Sequence, residues 1–335
     1  MLKFVSQYDI DNLQWELLVS NSPTPSYFQT KECFDFYSSL SFLSPFLYGV
    51  SENERLVGLV CGYIIADGGK VKPFFSRRAI VPGGLLLDKC ISDDALEFLL
   101  TSLILEIKRK AIYIEIRNYN DFSLFQPKIE TCGFIYHPHY NYQVDTTKPK
   151  LIFENLSESK RRQLRMSQSE DVTWHETNDK SDVNAFYACL HDLYKTKVRL
   201  PLFPLEFFEK LVQMPNGKLL VVKHENKVIG GMACVILANN TLYEWFVCGD
   251  NKVAKRFFPS VVATYAGIDY ASKNNISRFD FMGAGKPDKN YGVRNFKSKF
   301  GGKLVENGRF LYICNKFLYL VGKLVVENFF SKHVI

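Results

Sequence analysis

The chain has 335 residues, 47% hydrophobic and 23% charged, enough for two ordinary globular domains and too balanced for a disordered or fibrous chain. Its formal net charge of +7 favours anionic partners such as phosphates, nucleotides, tRNA or a membrane surface, but no long Lys/Arg tract marks a dedicated nucleic-acid binder. Eight scattered cysteines with no C-x-x-C pair, and a His137/His139 pair with no third ligand in spacing, argue against a disulfide framework or a metal site.

Residues 1–20 contain Asp9, Asp11 and Glu16 and no signal-peptide core. No apolar run approaches the ~18 residues of a membrane span, so the expected location is the cytoplasm, up to the inner face of the membrane. Pro25 to Thr30 (PSYFQT) opens a helix whose only early cation is Lys31. Val50 to Cys61 (VSENERLVGLVC) reads as strand, polar turn, strand. In Phe74 to Gly84, Arg77 and Arg78 precede a Pro-Gly-Gly turn, an anion-binding rim or a simple hairpin turn. Ser92 to Lys110 is an amphipathic helix with Ser92 as N-cap, Asp93 and Asp94 in the first turn, and apolar positions 96, 99, 100, 103, 104 and 107. It leads into a strand, Ala111 to Ile116.

The polar stretch Asp145 to Lys150 (DTTKPK) reads as a linker and sets the expected domains at 1–147 and 148–335. Leu156 to Ser167 (LSESKRRQLRMS) then places four positive charges in six residues, with Arg161 and Arg165 one turn apart on one helix face. Val222 to Cys234 (VKHENKVIGGMAC) repeats the earlier strand–turn–strand, with Gly58 and Gly230 at matching positions 172 residues apart. Glu244 follows, in Tyr243-Glu244-Trp245. Gly249 to Phe257 supplies Lys252, Lys255 and Arg256 but no glycine pattern for a pyrophosphate, so a standard acetyl-CoA loop is not expected. A helix from Pro259 to about Lys273 leads into a strand, Ser277 to Phe281. Each half thus reads as helices, a strand pair, a helix and a strand, and the chain reads as a duplication.

Phe279 to Gly302 (FDFMGAGKPDKNYGVRNFKSKFGG) is the most informative stretch. A short strand carrying Asp280 breaks at Gly283-Ala284-Gly285, crosses a polar loop, and re-enters order through Tyr291-Gly292 and Phe296-Lys297. Its glycines allow tight turns and close backbone approach. Phe296 and Phe300 are expected to anchor the segment while Lys297 projects with an exposed tip, so that losing the lysine would leave folding intact. The C-terminal Phe317 to Phe330, interrupted by Lys323 and Glu327, is either a core-packing helix or a membrane-surface helix.

This Asp–Gly-rich loop–Tyr-Gly–Phe-Lys–Phe-Gly order resembles the signature of the FemABX family, peptidoglycan aminoacyltransferases within the GNAT acyltransferase superfamily. The resemblance spans essentially the whole chain. It implies an α/β mixed-sheet fold of two tandem GNAT-like domains and an acyltransferase that moves an aminoacyl or acyl group onto an amine of a cell-wall or surface-polysaccharide precursor. It implies Lys297 at the reacting acyl group, with Asp280 or Glu244 as proton acceptor, and Arg161 on the substrate's phosphates. Arg165, Arg77, Arg78, Lys31, Tyr291 and Phe296 complete the expected substrate contacts. No cofactor is expected to be held permanently. The donor would be aminoacyl-tRNA or an acyl-CoA, and the acceptor a phosphate-bearing small molecule or lipid-linked precursor. No heptad stretch suits the long helical arm of tRNA-dependent members. A competing reading is a non-catalytic tRNA- or membrane-binding protein on a degenerate transferase scaffold.

Overall fold

The computed structural model describes residues 1–66, 76–250, 252–288 and 291–331. Phe74 and Phe75 of the arginine loop, Asn251, Lys289 and Asn290 lie outside the described residues. The chain forms two compact units, Met1–Pro138 with Asn307–Ile335, and His139–Glu306.

The first unit holds β1 (Leu2–Ser6), β2 (Ser44–Glu52), β3 (Arg55–Ile65), β4 (Arg78–Pro82), β5 (Leu86–Leu87), β6 (Tyr113–Arg117) and β7 (Ile135–His137). The second holds β8 (Tyr140–Asp145), β9 (Thr173–Thr177), β10 (Gly217–His224), β11 (Lys227–Leu237), β12 (Thr241–Gly249), β13 (Arg278–Asp280) and β14 (Lys303–Glu306). The last strand, β15 (Arg309–Ile313), returns to the first unit.

The sheet of the first unit runs β1-β2-β3-β4-β6-β15-β7, with β5 also on β3; that of the second runs β14-β8-β13-β12-β11-β10-β9. Each is antiparallel except for one parallel step, β4 with β6 and β12 with β13. These are the two tandem mixed sheets expected. The division differs from a cut at residue 147 in two segments. Residues 139–147 pair in the second sheet, and 307–331 fold with the first unit. The supposed linker is pinned: Thr146 donates its hydroxyl to the Ile276 carbonyl at 2.5 Å.

The duplication is visible at the level of backbone angles. The β2–β3 turn places Asn53 and Glu54 at φ 52° and 67°; the β10–β11 turn places Glu225 and Asn226 at 48° and 61°. Two consecutive left-handed residues make the tight turn whose twist suits a hairpin. A register shift follows at matching positions, Val50/Ser51 and Val222/Lys223.

The helix Asp93–Ile107 begins where expected, Ser92 accepting the Ala95 N–H at 3.1 Å. Its Leu96, Leu99, Leu100 and Leu103 share a core with Val50, Val60, Ile114 and Ile116. In the second unit the helix Pro259–Lys273 buries Val261, Val262 and Ala266 against Leu220, Met232 and Phe279. It lies so close that a Cβ on Gly267 would come within 2.6 Å of the Met232 sulfur. This second helix packs on β12 and β13, the strands that carry Glu244 and Asp280.

Candidate active site

The candidate site lies wholly in the second unit, where β13 ends. Asp280 is fully buried there, and its carboxylate accepts Asn141 Nδ2 at 2.8 Å, Gln143 Nε2 at 3.0 Å and the Met282 N–H at 2.7 Å. Both side-chain donors come from β8, the neighbouring strand. Asn141 also accepts the Gly283 N–H through Oδ1 at 2.8 Å. Burial pushes the Asp280 carboxyl above its ordinary range, and these hydrogen bonds pull against it. With both oxygens occupied, Asp280 organises the loop that follows.

That loop leaves the strand through left-handed backbone. Met282 has φ 56°, Gly283 137° and Gly285 81°. The glycines reach these angles freely; Met282 is held there at a cost of about 1–3 kcal/mol, which the Asp280–Met282 bond helps offset. The carbonyls on either side of Met282 both reach Lys297, whose Nζ donates to Phe281 O at 2.7 Å and Gly283 O at 2.9 Å. Its third partner is Glu244 Oε1 at 3.3 Å, and the side-chain exposures are 12% for Lys297 and 2% for Glu244. Lys297 therefore does not project. It clamps the loop, and its ammonium has three partners, the carboxylate being the most distant.

Glu244 reaches this position from a register shift in β12, where Phe246 pairs with Ala233 but Glu244 with the next residue, Cys234. The extra residue, Trp245, makes a bulge, a device that re-aims side chains beside functional sites. Burial pushes the Glu244 carboxyl up to about 7, against the pull of Lys297. The Thr264 hydroxyl also lies close enough to act on it, yet neither that hydroxyl nor Glu244 Oε2 makes a well-formed hydrogen bond. A half-ionised buried carboxylate beside a fixed ammonium can take up a proton near neutral pH.

Other expected residues have different surroundings. Tyr291 is exposed and covers Gly285, where a Cβ would come within 2.7 Å of its ring. Phe296 is half-buried against Phe300, ring centroids 5.1 Å apart. Arg161 donates to the Glu154 carbonyl at 2.7 Å, and the exposed Arg165 lies over the Phe153 ring at 5.5 Å. No contact of either with Lys297 or the loop is seen among the described residues. Lys31, Arg77 and Arg78 belong to the first unit. Lys31 pairs with Asp35 at 2.6 Å on the surface, and Arg78 donates to Ser76 O at 3.1 Å. Gly83 and Gly84 there serve packing, since a Cβ on Gly83 would meet Ser26 Oγ at 2.1 Å.

Two residues escaped the sequence reading. Lys160 is only 6% exposed, its ammonium 4.1 Å from the Phe296 ring centroid and 5.3 Å from that of Phe300, with Gln163 Oε1 at 3.1 Å. Burial, with a smaller push from Lys299, brings it down to about 8. The signal was present: Lys160 and Leu164 stand four residues apart, so Lys160 shares the inward face of the basic helix, Glu158–Ser169. Arg294 donates to the Ala284, Lys286 and Pro287 carbonyls and covers the Tyr140 ring at 5.1 Å. Nothing in its spacing announced that role.

The FemAB family model matches residues 213–326, which include Glu244, Asp280, the loop and Lys297. The FemX crystal structure is similar over 95% of this chain and 99% of its own, at 15% identity and a TM-score of 0.71. The structure of L-PGS from Bacillus licheniformis covers 94% of this chain and 96% of its own, at 14% identity and a TM-score of 0.58. A tandem GNAT protein from the clavulanic acid biosynthesis pathway covers 94% and 99%, at 11% identity and a TM-score of 0.57. These likenesses are of fold. No curated protein matches the chain.

Proposed function

Because the chain is FemABX-like and built on a tandem GNAT fold, we propose that it is an N-acyltransferase. It transfers an aminoacyl or acyl group to an amine of a cell-wall or surface-polysaccharide precursor. The observation that carries this reading is the Glu244–Lys297 pair, held by the loop carbonyls inside the segment that the FemAB model matches. The donor is an aminoacyl-tRNA or an acyl-CoA, and the acceptor carries a phosphate that the basic side chains of the protein attract.

The chemistry follows from the pair. A neutral amine attacks the donor carbonyl, forming the C–N bond and leaving negative charge on the carbonyl oxygen. Glu244 accepts the proton that the amine sheds. Its negative charge is then gone, the hold on Lys297 weakens, and the ammonium is free to turn one donor toward the oxyanion. Collapse expels the donor's alcohol or thiol, which takes the proton back from Glu244, and the new amide and the ionised carboxylate remain. No nucleophilic Ser–His or Cys–His pair is needed.

The test is mass spectrometry of precursor pools from cells with and without the gene, followed by reconstitution with the purified chain. An increment equal to an amino acid or an acyl chain on the acceptor identifies the donor class. Identical pools, with no transfer in vitro from either donor class, would refute the reading.

A further inference from the structure

We infer that the C-terminal helix, Lys316–Ser331, docks the protein on an anionic lipid surface. The helix is held to the first unit by one side. Asn315 caps it, accepting the Leu318 N–H at 3.0 Å, and Tyr319 packs edge-on against the Tyr113 ring at 5.7 Å. The other side carries large apolar groups in solvent: Phe317 is 73% exposed, Leu320 58% and Leu324 59%.

These three are not scattered. On a 3.6-residue period they fall within a stripe about 60° wide, opposite Tyr319. Lys316 and Lys323, both exposed, lie next to each other along one edge of that stripe. Large apolar side chains with lysines at their border form the pattern of a helix lying in a membrane interface. The rings and methyls sink toward the acyl chains while the ammonium groups snorkel to the phosphates. No described helix is long and apolar enough to cross a membrane, so this one would lie in the plane.

Charge decides the occupant. Nothing acidic interrupts Lys316 to Leu324, and from Lys316 to the end of the sequence three lysines face one glutamate. A second copy would bring the same lysine edges together. A surface of phosphate headgroups attracts the net positive charge of the segment.

The test uses the full chain and vesicle co-sedimentation. Vesicles of phosphatidylcholine mixed with phosphatidylglycerol should carry the protein down, and phosphatidylcholine alone should do so weakly. Leu320→Ser and Leu324→Ser should each lower partitioning roughly tenfold, as expected for a leucine no longer buried. Lys316→Gln with Lys323→Gln should remove about fivefold per lysine from anionic vesicles only, and added salt should mimic it. All four positions are exposed, so unchanged melting temperatures will show that the variants fold. The proposal fails if the protein stays in the supernatant with anionic vesicles, or if the leucine variants bind like the parent. It also fails if light scattering without lipid shows a dimer that the leucine variants abolish. None of these readouts depends on acyl transfer, so they stand apart from the catalytic reading.

Discussion

Glu244 and Lys297 face each other at 3.3 Å, one raised on a strand bulge and the other on the helix after a glycine loop 53 residues later. Neither partner is held by the other alone. The carboxylate is buried, and the ammonium is also bound to two carbonyls of the loop. A buried pair of this kind contributes little net stability, yet removal of one member is costly because the other is left uncompensated.

Glu244 makes stability depend on pH in a defined direction. Its folded-state value is about 7 against an ordinary 4.5, so between those limits the folded state binds more protons than the unfolded chain. Stability should therefore fall as pH rises through that window, by about 3 kcal/mol at most. Glu244→Gln keeps the shape and should flatten this decline in denaturant titrations at several pH values. It should also slow turnover by about 10²- to 10³-fold. An unchanged slope would show that Glu244 does not titrate there.

Lys297→Met should not be silent in folding, contrary to what an exposed lysine tip would give. It strands two carbonyls and a buried carboxylate, at a cost of about 2–4 kcal/mol, eased at low pH where Glu244 is protonated. Adding Glu244→Gln should recover part of the loss. Chemical denaturation of the two single variants and the double variant measures the coupling. Strict additivity would mean that the pair does not interact energetically.

Asp280→Asn separates an organiser from a proton acceptor. The new amide would point a donor at the Gln143 or Asn141 amide or the Met282 N–H, costing about 1–3 kcal/mol. Melting temperature should drop and KM should rise as the loop loosens, with kcat less affected. A large loss of kcat at unchanged stability would instead make Asp280 the base.

Lys160→Met replaces a desolvated amine with an apolar chain of similar length. The lysine's folded value of about 8 lies below its ordinary 10.5, so the unfolded chain binds more protons between them. The parent should gain stability as pH rises from about 8 to about 10.5. The variant should lose that rise and be more stable at pH 7, by about 1–2 kcal/mol after allowance for solvent screening and the lost ring contacts. Urea midpoints at pH 7 and pH 10 settle it.

The sequence by itself determined the local and the repeated. The Glu/Asn turns, the capped leucine helix at Ser92, the glycines after Asp280 and the Gly58/Gly230 spacing are all written in short-range periodicity and turn chemistry, which act within a few residues. Only the tertiary structure decided who meets whom. Asn141 and Gln143 reach Asp280 because β8 pairs with β13, about 140 positions away in sequence. β15 joins β6 and β7 rather than β14, the strand just before it, and β8 pairs in the second unit, so each unit draws a strand from across the expected boundary. The bulge that turns Glu244 toward Lys297, and with it the lysine's burial, depends on strand register. Register is set by packing one sheet face against a core, a long-range condition that no window of sequence contains.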